Sequence, residues 1–175
     1  MDNEVTSTPD LGEARARLWD MIKDIRFAMF TTRHASNGHL HARPMTTQNK
    51  DINENASLWF FMGRNEEVVI DLRADPQVNV VYADPGADSY VSVSGTAAVV
   101  DDLAMKKQLW SKMNQAWFPA GPSDPDLALV EVSIIHANYW DVKDSKIVQL
   151  FKMAKGAMTG TPPKNLGDHA EVRMR

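Results

Sequence analysis

The chain has 175 residues, of which 43% are hydrophobic and 24% are charged, as expected for one globular domain that buries a sizeable core. Its formal net charge of −4 argues against a nucleic-acid-binding scaffold, and the lack of cysteine excludes disulfides, thiolate metal sites and a cysteine nucleophile. No apolar run approaches the ~20 residues that span a bilayer, and the polar, acidic residues 1–9 differ from a secretory signal. We therefore expect a cytoplasmic protein that binds neither nucleic acid nor membranes.

The first part of the chain is predicted to contain two helices and five strands. Apolar spacing predicts a helix over residues 10–25, with Asp10 as its N-cap and Glu13 at the capping-box position. The other predicted elements are strands over residues 27–32, 40–48, 57–62, 78–83 and 90–100 and a short helix over 65–74. A polar turn at Asn37-Gly38 joins the first two strands into a hairpin, and Gly95 indicates a bulge or a bend in the fifth strand.

The second part begins with a predicted helix over residues 103–117, whose inner stripe is Leu109, Trp110 and Met113. A proline-rich loop over 118–126, strands over 127–135 and 137–142, and a closing helix over 147–158 follow. Six or seven strands with short connections favour an antiparallel barrel with peripheral helices, and no strand precedes a glycine-rich phosphate loop of the common nucleotide-binding folds. We predict a flexible N-terminus at 1–9, a single mainly β domain over 10–160, and a C-terminal tail at 161–175.

The strand over residues 40–48 has an unusual composition, because it contains a histidine, an arginine and a proline. Strand alternation places His39, His41, Arg43, Met45 and Thr47 on one face and Leu40, Ala42, Pro44 and Thr46 on the other. The smaller, more apolar face is predicted to face the core. Arg43 would then face solvent, a partner or a ligand, and a lone exposed arginine is usually only solvated.

Three histidines, His34, His39 and His41, lie close together in the sequence. His39 and His41 share a strand face at a spacing that suits two metal ligands, although His136 or a carboxylate would have to supply the third. Because exposed strand histidines near a turn are much commoner than metal ligands, we predict no metal site.

The tryptophans are predicted to differ in role. Trp59 and Trp110 lie in apolar patterns and are predicted to pack in the core. Trp117 and Trp140 are as consistent with a pocket or a subunit interface as with packing.

The segment Arg43-Pro-Met-Thr-Thr-Gln48, followed by Leu58-Trp-Phe-Phe61, resembles the flavin-binding segments of pyridoxamine-phosphate-oxidase-like proteins. The chain more closely resembles the general stress protein branch of that superfamily. The matching segments are His41–Met45, Trp59–Phe61, Trp117–Pro122, Asp124–Asp126, Tyr139–Asp141 and Leu166–His169. Each motif is weak alone, but together their order and spacing cover essentially the whole chain. The resemblance implies an antiparallel split β-barrel that forms a homodimer with two FMN sites at the subunit interface.

By this resemblance, Arg43, Pro44, Met45 and Thr46 would line the cofactor, with the Arg43 side chain toward the ribityl phosphate. The residues implied on other segments are Phe60 and Phe61 on the adjoining strand, and Trp117, Phe118 and Trp140 from the other subunit near the isoalloxazine ring. An anionic phosphate favours arginine, and a flat ring favours aromatic and methionine walls.

Two positions depart from the family pattern. Where the family usually places a lysine for the phosphate, this chain has Glu67-Val68, preceded by Glu66. Carboxylates there would weaken phosphate binding unless they point away, whereas Arg64 and the free N–H groups of the following helix could substitute for the lysine. Gln48 stands where the oxidase has a substrate-contacting lysine, so pyridoxamine phosphate oxidation is not expected.

The resemblance implies an FMN-binding protein, with FAD as the alternative flavin, that acts in stress response. If it is an enzyme, it would be an FMN-dependent oxidoreductase acting on an unidentified small molecule, with no catalytic residue assigned and His41 only a guess. The alternative is a non-catalytic binder or sensor of flavin or of another anionic cofactor, such as a deazaflavin or haem.

Overall fold

The computed structural model describes residues 10–141 and 168–174. The helices are α1 Leu11–Ile22, α2 Glu67–Ala74 and α3 Leu103–Leu109, with short 3-10 helices at Lys112–Ala116 and Gly121–Ser123. The strands are β1 Ala28–Arg33, β2 Leu40–Met45, β3 Ser57–Gly63, β4 Gln77–Asp84, β5 Ser89–Val100, β6 Leu127–Asp141 and β7 Asp168–Arg173. No helix in these ranges is long and apolar enough to cross a bilayer.

The seven strands form one sheet in the order β2-β1-β4-β5-β6-β3, with β7 also paired to β6, and every pairing is antiparallel. The 15-residue strand β6 organises one end, because β5 pairs along it while β3 and β7 share its other edge. The sheet curls until β3 meets the segment after β2, where Thr47 bridges Phe60 and the Gln48 N–H donates to the Trp59 carbonyl. The sheet is not closed, and the predicted mainly β, antiparallel architecture of six or seven strands is confirmed.

The core lies inside this curled sheet and is covered by α1 and α2. Phe30 and Phe60 are fully buried and meet edge-to-face, with ring centroids 5.1 Å apart. Helix α1 contributes Leu18 and Ile22, and α2 contributes Val68, Val69 and Leu72. A smaller second cluster joins Phe61, Leu109, Leu127 and Leu129 on the other side of β3. Because side chains alternate along a strand, the adjacent Phe60 and Phe61 of β3 pack in different clusters.

Strand β6 is a single element, so the prediction of separate strands over 127–135 and 137–142 is wrong. Gly95 pairs with Ile134 and Ser94 pairs with His136, which leaves Ile135 as the extra residue of a bulge. The irregularity expected at Gly95 is confirmed, and the bulge bends β6 without ending it. A Cβ at Gly95 would lie 2.2 Å from the Ser133 carbonyl oxygen, so the strands approach closely because this residue is glycine.

Helix α3 ends earlier than predicted. Trp110 has extended backbone angles and ends the helix, and the chain resumes as a 3-10 helix at Lys112. This break takes Met113 off the buried stripe, so its side chain is 66% exposed and its predicted core position is wrong. The predicted closing helix lies outside the described residues, whereas part of the predicted tail forms β7.

Candidate functional site

Strand β2 faces the opposite way from the sequence prediction. His41, Arg43 and Met45 are half-buried, whereas Leu40, Ala42 and Pro44 are exposed. In the antiparallel register Arg43 lies opposite the buried Phe30, and His41 lies opposite the buried Thr32. The predicted core-facing side is therefore wrong. The reason is tertiary, because α2 brings polar partners over this end of the sheet and these satisfy the charged side of β2.

Arg43 lies at the centre of a polar network between β1, β2 and α2. Its Nη1 donates to Thr32 Oγ1 at 3.1 Å, and its Nη2 lies 3.5 Å from Glu67 Oε2 and 3.6 Å from Asp71 Oδ2. Only 19% of the Arg43 side chain is exposed. Its position is therefore determined by three partners before any ligand is considered.

Asp71 is the buried anion of this network. Its carboxylate accepts hydrogen bonds from Thr32 Oγ1 and from the Ala35 N–H, both at 2.9 Å, and the residue has no exposed surface. Burial alone would raise the pKa of Asp71, but these two hydrogen bonds and the neighbouring His34 and Arg43 more than offset it, so the pKa lies below its usual value. The group is therefore a carboxylate at neutral pH.

Glu67, the first residue of α2, lies on the solvent side of Arg43. Its Oε1 hydrogen-bonds His34 Nε2, and its Oε2 lies 3.9 Å from His41 Nδ1. Glu66 instead lies over Gly63, since a Cβ built on that glycine would meet the Glu66 carboxylate. Of the two carboxylates that departed from the family pattern, one thus faces Arg43 and the other folds back. Val68 is buried in the core.

Arg64, the predicted substitute for the missing lysine, is engaged elsewhere. Its Nε donates to the Pro125 carbonyl at 3.0 Å, and its Nη2 donates to the Leu127 carbonyl at 3.3 Å. These bonds hold the segment that precedes β6. A phosphate-binding role for Arg64 stays a prediction and would require these bonds to break.

Hydrogen bonds within the chain hold two residues of the segment after β2, Thr47 and Gln48. The Thr47 hydroxyl shares a 2.6 Å hydrogen bond with the phenol of Tyr82, which is fully buried. Burial raises the pKa of the Tyr82 phenol, and this hydrogen bond only partly opposes the shift. The Gln48 side chain accepts a hydrogen bond from Asn114 Nδ2 at 3.1 Å. The backbone is therefore held at the two residues that follow Thr46, which is itself exposed.

The predicted aromatic residues are dispersed within the chain. Phe60 is fully buried in the main core, so only its backbone can face a cofactor, and Phe61 and Phe118 pack in the second cluster. Trp117 is 81% exposed and follows the 3-10 helix that contains Asn114. The Trp140 ring contacts the His169 ring, with centroids 5.0 Å apart and the planes tilted by 50°.

Trp140 and Arg43 lie on strands that do not pair with each other. Strands β1, β4 and β5 come between β2 and β6 in the order of the sheet. The approach of Trp117, Phe118 and Trp140 from a second subunit stays a prediction.

Sequence reasoning missed Thr32, His34 and Asp71 as parts of this network. Asp71 did carry a signal, because it lies three residues after Val68 and next to Leu72 on the buried face of α2. An acidic residue on an apolar helix face requires a buried partner. Thr32 and His34 carried no comparable signal, since their partners come from a different element.

The chain therefore has an open, curled antiparallel sheet. The polar network centred on Arg43, called the polar corner below, lies at its edge strand β2. It matches the family described as "Pyridoxamine 5'-phosphate oxidase like" over residues 13–164 and belongs to that family. Its fold is the split barrel of this family, as the sequence resemblance implied, and it is similar to solved structures of general stress proteins.

Individual relatives agree with this assignment. The chain is 26% identical to Protein bli-3 of Neurospora crassa over 145 residues, which cover 78% of this chain and 69% of that protein. It is 29% identical to the general stress FMN/FAD binding protein of Xanthomonas citri, with a TM-score of 0.64 and coverage of 77% and 92%. A Jannaschia sp. CCS1 protein assigned to general stress protein 26 shares the fold, with a TM-score of 0.71, 24% identity and coverage of 93% and 99%.

Proposed function

We propose that this chain binds a flavin, FMN in preference to FAD, along β2 and the segment that follows it. The observation that carries the proposal is the placement of Arg43, whose half-buried guanidinium belongs to β2, an edge strand that pairs on one side with β1. An arginine so placed suits a phosphate oxyanion. The Xanthomonas citri relative is described as binding FMN or FAD, which supports the choice of ligand.

The residues that follow Arg43 suit the part of the site that would hold the isoalloxazine ring. Met45 is half-buried and Thr46 is exposed directly after Arg43, and the hydrogen bonds of Thr47 and Gln48 hold this backbone in place. A fixed backbone offers a flat ring preorganised donors and acceptors. The flavin supplies hydride or electron transfer when bound, while these residues would orient and shield it.

The residues around Arg43 suit the phosphate of FMN less well. Arg43 already faces the carboxylates of Glu67 and Asp71, so the charges of these three residues sum to −1. A phosphate must compete with Glu67 for the Arg43 guanidinium, whereas Asp71 is buried and keeps its own hydrogen bonds. We therefore propose FMN binding that is weakened by Glu67.

A homodimer is part of the proposal, as the family resemblance implies. The outward face of β2 exposes Leu40 and Pro44, and Pro44 lies opposite Met29, which is 43% exposed. Contiguous apolar surface of this kind favours burial against a partner. Light scattering coupled to gel filtration would measure the mass, and a monomer with flavin bound at full stoichiometry would contradict the interface site.

The direct test is the visible absorption spectrum of the protein as isolated, followed by titration of FMN and riboflavin monitored by tryptophan fluorescence. We expect saturable binding of FMN, and no response to either flavin would contradict the proposal. Arg43→Ala should weaken FMN by about 1.5–3 kcal/mol, the usual size of a charge-assisted hydrogen bond, without a matching loss for riboflavin. Reduction of the bound flavin by a nicotinamide donor faster than free flavin would identify an oxidoreductase, and its absence would favour a non-catalytic binder.

A further inference from the structure

We propose that His34, His41 and Glu67 form a binding site for a divalent transition-metal ion such as Zn²⁺. One imidazole nitrogen from each histidine and one carboxylate oxygen all lie within 4.8 Å of one another. The residues come from three places in the fold, namely the turn after β1, strand β2 and the first turn of α2. The sequence left the third ligand to His136 or a carboxylate, and the fold brings the carboxylate of Glu67 to the two histidines.

The tertiary structure also changes which histidines form the pair. His39 is exposed and lies outside the cluster, whereas His34 and His41 lie with ring centroids 4.6 Å apart. Two imidazoles with one carboxylate suit Zn²⁺ and neighbouring transition metals, whereas Mg²⁺ and Ca²⁺ prefer oxygen ligands.

The surroundings of His34 favour a ligand role. Its Nδ1 accepts a hydrogen bond from the Ser36 N–H at 3.1 Å and lies 3.0 Å from Ser36 Oγ. In this arrangement the proton of a neutral His34 ring is on Nε2, facing Glu67. A metal ion at Nε2 would displace that proton, and Nδ1–H would then donate to Ser36 Oγ in place of accepting from the Ser36 N–H. Only 17% of the His34 side chain is exposed, so the ring is held in place and little side-chain entropy is lost on binding.

The charge of the corner also favours a cation. Glu67 and Asp71 together exceed the single positive charge of Arg43, and a metal on Glu67 Oε1 leaves Oε2 for Arg43. The Glu67 side chain is 55% exposed and that of His41 is 37% exposed, so an ion can enter from solvent. Three protein ligands leave at least one coordination position open for water or an anionic group.

The test is isothermal titration of tag-free, chelator-treated full-length protein with Zn²⁺, in the absence of flavin. We expect one ion per chain, an increase in thermal stability on zinc addition, and no competition from an equal concentration of Mg²⁺. His34→Ala, His41→Ala and Glu67→Gln should each weaken zinc by at least about 100-fold, since even outer-sphere partners of metal ligands are worth 10- to 100-fold.

His39→Ala is the matched control, because it removes an imidazole from the same hairpin and should leave zinc affinity unchanged. Circular dichroism checks the fold of each variant, and Glu67→Gln keeps the test valid if a histidine variant does not fold. Zinc binding weaker than millimolar in the unmodified protein would overturn the proposal, as would an equal loss in His39→Ala. Because no flavin is present, a negative result leaves the flavin proposal untouched.

Discussion

Replacing Glu67 by glutamine should tighten FMN binding without changing riboflavin binding. The substitution keeps the shape of the side chain and removes the charge that lies 3.5 Å from Arg43 Nη2. A phosphate that hydrogen-bonds Arg43 would lie roughly 6 Å from the Glu67 carboxylate, if normal charge-assisted bond lengths are added to that distance. Riboflavin has no phosphate, so its affinity reports only the ring end of the site.

The size of the effect follows from Coulomb's law. A dianion about 6 Å from one carboxylate is destabilised by roughly 1.4–2.8 kcal/mol at an effective dielectric constant of 40–80. Glu67 is half-exposed, and screening at physiological salt removes about half of this value, which leaves about 1 kcal/mol. FMN affinity should therefore rise roughly fivefold, and the gain should shrink in about 1 M salt, where the screening length is about 3 Å.

Calorimetric titration of both flavins at low and high salt measures this difference. Glu66→Gln is the matched control, since Glu66 carries the same charge at the adjacent position but lies over Gly63. Glu66→Gln should change FMN affinity much less than Glu67→Gln. An equal change for FMN and riboflavin, or an equal effect of the two variants, would refute the idea that Glu67 competes for Arg43.

Three further predictions concern the residues that support the site. Asp71→Asn should lower the free energy of unfolding at neutral pH. This loss should shrink as pH falls below about 4, because the pKa of Asp71 is lower in the folded than in the unfolded protein and its carboxylate stabilises the fold only while it is ionised. Urea unfolding at several pH values measures this, and a pH-independent loss would contradict it. Tyr82→Phe should cost about 1 kcal/mol by leaving Thr47 without its buried partner, and a variant as stable as the parent in urea would show that water replaces this bond. Gly95→Ala should cost about 1–3 kcal/mol, because the new Cβ meets the Ser133 carbonyl, and an unchanged melting temperature would mean that the bulge relaxes freely.

The secondary structure was largely predictable because strands β1 to β5 each carry their own signal, whereas β7 lies in the predicted tail. Alternation in β5 predicted the buried face that includes Val91 and Val93, and Gly95 predicted the irregularity beside it. The errors occurred where local pattern and tertiary contact disagree. The helical pattern continued to Met113, but the chain leaves the helix at Trp110, which packs near Phe61 in the second cluster.

The candidate site was only partly predictable. The family resemblance predicted that Arg43-Pro-Met-Thr lines the cofactor and that the carboxylates after β3 weaken phosphate binding, and both statements stay predictions. The orientation of β2 was predicted wrongly, because an arginine and a histidine on one face usually indicate solvent. Here the buried carboxylate of Asp71 pairs with Arg43 and keeps its side chain half-buried. Asp71 lies on α2, 28 residues after Arg43.

By itself, the sequence determined the class of fold, the family and the strand on which a flavin is proposed to bind, because these depend on periodicity and on the order of short motifs. Only the tertiary structure decided what Arg43 contacts, which of Glu66 and Glu67 faces it, and that His34 rather than His39 joins His41. These outcomes depend on how α2 lies over the β1–β2 hairpin. The net charge around Arg43 depends on residues that are distant in sequence, so it cannot be read from a local pattern along the chain.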